Sequence, residues 1–152
     1  MEPPRVKLPL LLQGGRDVVL DTMIFIYFFE DDQKYGRCCE WLLQQAADGA
    51  FTGVITPVTA AELLVKPLQS KRTALADHYR DALRSLPNIR LVGLSPEAGF
   101  MAGALRAKYS LPLPDMIQVA MAMERNSTAL ISNDKALQRV KEVNVILLDS
   151  LT

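Results

Sequence analysis

The chain of 152 residues is 49% hydrophobic and 22% charged, which excludes a disordered segment and allows one domain with a substantial core. Its 17 basic and 17 acidic residues cancel, so no overall excess of charge marks it for nucleic acid or a membrane surface. Two adjacent cysteines, Cys38 and Cys39, and a lone His78 exclude a disulfide framework, a Cys/His zinc site and a His-based triad, and imply a reducing, cytoplasmic setting.

Residues 1–15, MEPPRVKLPLLLQGG, read as an N-terminal arm ending in Gly14-Gly15. Its apolar run is short and broken by Pro9, unlike a signal-peptide core, and no uncharged apolar stretch is long enough for a bilayer, so no membrane is expected. A single domain is expected over 16–152. VVL at 18–20 reads as a buried strand, and TMIFIYFFE then continues apolar for too long to remain in it, so a helix follows. KYGRCCEWLLQQAADG places Cys38, Trp41, Leu42 and Ala46 at helical spacing and stops at Gly49. AFTGVI is a second strand, and TPVTAAELLVKPLQ a helix that Thr56 can cap, with Pro57 at its first position.

KRTALADHYRDALRSL is helical, IRLVGL a third strand, and PEAGFMAGALRAKYS and LPDMIQVAMAMERN are two further helices. TALIS, DKALQRVKE and VNVILLD read as a fourth strand, a short helix and a fifth strand. Short apolar strands alternating with helices imply a parallel sheet covered on both faces, an α/β fold. Between Lys66 and Arg90 six basic residues face two acidic ones, either as a solvated helix face or as a patch for phosphates.

In such a sheet, ligands bind beyond the carboxyl ends of the strands, near the point where strand order reverses. Asp21 follows the first strand and Asp134 the fourth; Glu62 lies on the helix after the second strand, and Asp115 opens the helix leading into the fourth. Each has a plain alternative role. Asp21 and Asp134 can cap the helices after them, Asp115 suits a helix N-terminus, and Glu62 completes a Thr59-x-x-Glu62 capping box, although Thr59 already lies inside that helix. Convergence decides between the readings. Carboxylates gathered at one mouth repel, helix dipoles offset only about half a charge each, and either protonation or a bound cation would relieve the rest. Oxygen donors without His or Cys select hard ions such as Mg²⁺ or Mn²⁺, which pair with phosphate oxygens.

The segments VVLDTMIFIYFFE, TPVTAAELL, LPLPDMIQVAMAME and LISNDKALQRV, spread over about 17–149, together resemble the PIN-domain ribonucleases, in particular VapC-type toxins of prokaryotic toxin–antitoxin pairs. The resemblance implies a PIN-like three-layer sandwich with a five-stranded parallel sheet in order 3-2-1-4-5. It implies an acidic quartet of Asp21, Glu62, Asp115 and Asp134, with Asp21, Asp115 and Asp134 as metal ligands and Glu62 binding a second ion or orienting a water. Thr22 and Ser132 match hydroxyl positions beside the metal. The implied activity is Mg²⁺- or Mn²⁺-dependent cleavage of RNA by a homodimer that a small antitoxin holds inactive by reaching into the cleft. Two departures stand out: the arm at 1–15, and Met23 where relatives often carry a small or polar residue.

Lys66, Lys71 and Arg72 lie near the Glu62 helix in sequence and are candidates for holding the RNA backbone. Three rival readings remain: a non-catalytic PIN fold binding RNA or a partner, a DNA-cutting relative, and a phosphatase on another α/β fold. The last would call for Asp-x-Asp after the first strand, where Asp21-Thr22-Met23 stands.

Overall fold

The computed structural model describes residues 7–152. Strands β1 (Asp17–Leu20), β2 (Thr52–Ile55), β3 (Ile89–Leu91), β4 (Ala129–Ser132) and β5 (Val145–Leu147) form one sheet in the order β3-β2-β1-β4-β5. Every neighbouring pair is parallel, as the alternation of strands and helices implies. The helices are α1 (Thr22–Phe29), α2 (Gly36–Ala47), α3 (Pro57–Gln69), α4 (Thr73–Ser85), α5 (Pro96–Tyr109) and α6 (Leu113–Glu124).

The period-2 alternation of a strand sorts the central residues into two cores. Val18 and Leu20 of β1, with Ile55 and Ile131, pack under α1 and α2 against Ile24, Phe25, Cys39 and Leu42. Val19, Val54 and Leu130 face the other way, against Ala102, Leu105, Met116, Val119 and Ala120 of α5 and α6. Both faces of the middle strands are therefore dry, which is why their sequences are continuous apolar runs. Each such large side chain contributes about 1.5–3 kcal/mol on burial. The two thiols belong to this core: burial pushes Cys38 up to about 11 and moves Cys39 further in the same direction.

Of the expected arm, residues 1–6 lie outside the described residues. Residues 7–15 lie against the domain: Leu12 is fully buried in the α1–α2 core, and Thr128 Oγ1 donates to Leu11 O at 2.7 Å. Gly14 and Gly15, with φ of 89° and 73°, supply the left-handed turn into β1.

Two local expectations change. DKALQRVKE forms only a 3-10 turn, Lys135–Arg139, because the connection from β4 to β5 is too short for several α-helical turns. Thr56 occupies the N-cap of α3, but its hydroxyl makes no capping bond and is buried without a partner; Pro57 at the first position leaves one donor fewer to satisfy.

Candidate active site

The strand order runs from β1 outward through β2 to β3, then returns to the other side of β1 for β4. The crevice this reversal creates lies at the carboxyl ends of β1 and β4, where Asp21 and Asp134 stand.

Asp21 is the hub. Only 5% of it is exposed, and its carboxylate is held by three donors: Oδ1 accepts from Thr22 N (2.7 Å) and Gln118 Nε2 (2.8 Å), and Oδ2 from Ser132 Oγ (2.6 Å). Charge-assisted bonds of this length offset much of the cost of burying the charge. The bond from Thr22 N makes Asp21 the N-cap of α1, so the capping and site-facing roles coincide.

From this hub, short chains of bonds lead to Asp134 and Glu62, and helix α6 links it to Asp115. Ser132 Oγ, which gives its proton to Asp21, accepts from Asp134 N at 3.0 Å. Asp134 Oδ1 in turn caps the 3-10 turn by accepting from Ala136 N at 2.9 Å. Beyond that turn, Tyr109 clamps the chain: its hydroxyl donates to Glu142 and accepts from Lys141 N at 3.1 Å. Thr22 Oγ1 donates to Glu62 Oε1 at 3.0 Å and, having spent its one proton there, accepts from Thr59 Oγ1 at 3.0 Å. Glu62 thus bonds across to α1 and not to the start of its own helix, as a capping box would require. Gln118 stands one turn beyond Asp115 on α6, on the same face, so Asp115 is tied to the hub through its helix.

Asp115 records the convergence. Burial first, then the charges of Asp21, Asp134 and Glu62, push its carboxyl up to about 6. Among the described residues none of the four acids has a basic partner in salt-bridge reach, whereas Asp17, at the opposite end of β1, is ion-paired to Arg125 at 2.8 Å. Among the same residues, no three Asp, Glu, His or Cys side chains are arranged to enclose an ion in this conformation. The donor set nonetheless fits a hard divalent cation: it is all carboxylate and hydroxyl oxygen, with no histidine or thiol.

A groove of about 570 Å³ opens beside Glu62, between α1, α3 and α4; Ile26, Phe29, Glu30, Lys66, Arg72 and Tyr79 are among its walls. Of the three cationic candidates, Lys66 and Arg72 line it, Lys66 in a 3.2 Å ion pair with Glu30. Lys71 does not line it; it occupies the left-handed turn after α3, at φ 56°.

Gln118 and Thr59 were missed from sequence. The signal for Gln118 was available: it is the one uncharged polar residue in a helix stretch that is otherwise apolar, three positions after Asp115. Thr59 carried none beyond its spacing to Glu62. Met23, where the resemblance favours a small or polar residue, accepts at Sδ from Asn133 N (3.0 Å), bracing the β4 loop against α1.

The family model for the PIN domain matches residues 18–143. Three solved structures share the fold. The VapBC2 complex of Rickettsia felis bound to a promoter DNA fragment has a TM-score of 0.71 and 19% identity, over 86% of this chain and 98% of that one. A toxin–antitoxin complex from Klebsiella pneumoniae has a TM-score of 0.68 and 23% identity, over 86% and 97%. FitAcB from Neisseria gonorrhoeae has 0.65 and 18%, over 88% and 99%. No curated protein matches the chain significantly by sequence.

Proposed function

The chain belongs to the PIN domain family of nucleases, and from that premise we propose that it is a Mg²⁺- or Mn²⁺-dependent endoribonuclease, the toxin of a VapBC-like pair. The reading rests on one observation: Asp21, Glu62 and Asp134, far apart in sequence, are linked through Thr22 and Ser132, Asp115 lies within the field of all three, and among the described residues none of the four has a basic partner. Asp21, Asp115 and Asp134 would hold the ion, with Glu62 completing the site. A bound divalent ion supplies Lewis acidity at the phosphate and lowers the pKa of water, for hydrolysis to a 5′-phosphate and a 3′-hydroxyl.

The protein's own part is orientation. Ser132 fixes Asp21 relative to Asp134, and Thr22 fixes Glu62 relative to both, so the acids are pre-set before substrate arrives. Lys66 and Arg72 would neutralise phosphates along the groove, which makes binding salt-dependent. The same groove is where a cognate antitoxin would reach the acids. A homodimer in the cytoplasm completes the proposal; among the described residues no helix is long and apolar enough to cross a membrane, and α5 leaves Phe100 80% exposed.

The test is incubation of total RNA with the protein in Mg²⁺ or in EDTA, with the product ends mapped. Metal-dependent cuts with 5′-phosphates, lost in Glu62→Gln, support the reading; equal cleavage by that variant removes the acid site from it. One observation favours a second reading, a PIN fold that binds without cutting: three protein donors already hold the Asp21 carboxylate. Mn²⁺ titration separates the two, since a retired site binds none.

A further inference from the structure

Gln118 is buried, with 2% of it exposed, in a helix whose other buried residues are Met116, Val119, Ala120, Met121 and Ala122. Its Nε2 donates to Asp21 Oδ1 at 2.8 Å, while its Oε1 is buried with no partner. The amide cannot be turned over, because Oε1 would then face a carboxylate that only accepts. An apolar side chain of the same length would fill this space with no orphaned acceptor, so packing does not account for an amide here. The bond to Asp21 does.

That bond sets how Asp21 can ligate. A carboxylate offers about four lone-pair sites, two on each oxygen. On Oδ1 both are taken, by Thr22 N and Gln118 Nε2; on Oδ2 one is taken, by Ser132 Oγ. One site on Oδ2 remains. Thr22 N donates as part of the helix cap, and Ser132 also braces Asp134, so Gln118 is the donor whose bond serves Asp21 alone.

We infer that Gln118 is a positioning residue that confines Asp21 to a single ligating oxygen, Oδ2, and thereby favours small octahedral ions over Ca²⁺. Mg²⁺ demands near-ideal octahedral geometry and Mn²⁺ favours it, which suits one oxygen per carboxylate, whereas Ca²⁺ takes six to eight oxygens and readily uses both oxygens of a carboxylate. The inference rests on the proposed metal site and specifies which ions that site selects.

The test is calorimetric titration of the full-length, metal-free protein with Mn²⁺ and separately with Ca²⁺, for wild type and Gln118→Met, in the absence of RNA. Gln118→Met keeps the length of the side chain and removes both the donor and the orphaned acceptor. The expected result is a loss of about 10- to 100-fold in Mn²⁺ affinity with Ca²⁺ affinity held or raised. An unchanged ratio of Mn²⁺ to Ca²⁺ affinity overturns the inference and leaves the nuclease reading standing. A wild-type protein that binds no Mn²⁺ overturns both. Should Gln118→Met fail to fold, a crystal structure of the wild-type Mn²⁺ complex decides: ligation through Oδ2 alone, with Gln118 still on Oδ1, upholds the inference, and ligation by both oxygens or by Oδ1 overturns it.

Discussion

Replacing Asp115 by asparagine should make the metal-free protein more stable, and the gain should depend on pH. Burial and the charges of Asp21, Asp134 and Glu62 move the Asp115 carboxyl from 3.8 to about 6. The folded state therefore binds this proton more tightly than the unfolded chain does. Between about pH 4 and pH 6 the native protein carries the extra proton, so the stability contributed by this group falls as pH rises through that window and stays low above it. Two pH units at 1.36 kcal/mol each amount to about 3 kcal/mol; the side chain is partly exposed, and solvent screening reduces this to about 1–2 kcal/mol. Asp115→Asn keeps the shape and discards the charge. In EDTA at about pH 7.5 it should melt about 3–6 °C above wild type, for a chain of this size, and the difference should disappear near pH 4. Comparing variant with wild type isolates this one carboxyl from all others that titrate. Calorimetric melts across that range provide the assay. Saturating Mn²⁺ should reverse the order, because an ion that binds only the folded wild type adds to its stability. A variant no more stable than wild type in EDTA at about pH 7.5 would refute the reasoning, since burial and the three neighbouring charges would then not be strengthening the hold of Asp115 on its proton.

Other perturbations probe other parts of the molecule. Asp134→Asn should lose RNA cleavage by about 100-fold or more while its melting temperature stays near wild type, because asparagine caps the Lys135–Arg139 turn as well as aspartate does. Lys66→Ala and Arg72→Ala should each weaken RNA binding and lower the salt slope by about 0.7–0.9, measured by fluorescence anisotropy across salt concentrations; Lys71→Ala, outside the groove, should leave the slope unchanged. Leu12→Ala should destabilise by about 2–5 kcal/mol in urea, since Leu12 is fully buried; a smaller effect would mean that residues 7–15 contribute little to the core.

What the sequence made legible was what rests on period and position. The runs VVL and TALIS could be read as strands because both faces of β1 and β4 are buried, which leaves no polar alternation to confuse with a helix. Three of the four acids stood out because each sits at an element boundary that punctuation marks: Asp21 after a strand, Asp115 after Pro114, Asp134 after Ser132-Asn133; Glu62, inside α3, carried no such mark. The layer of donors beneath them was far less visible. Gln118 matters through one bond to a residue 97 positions away, and Thr59 through a hydroxyl on another helix. Such bonds depend on how α1, α3 and α6 converge in space, which no local pattern encodes. The separation of Lys66 and Arg72 from Lys71 was hidden for a related reason. Adjacent residues in a tight turn point apart, and the left-handed backbone at Lys71 sets that direction.

If Asp134 serves the proposed metal site as well as capping its turn, an evolutionary consequence follows. A single-nucleotide change to asparagine would silence cutting and leave the capping bond to Ala136 N in place. At Asp21 the same exchange turns an amide nitrogen toward protein donors, three of which now meet a carboxylate. Descendants that abandon hydrolysis yet persist as binding proteins should therefore arise through the β4 loop first, and lineages that keep Asp21 after losing Asp134 are the trace such a history would leave.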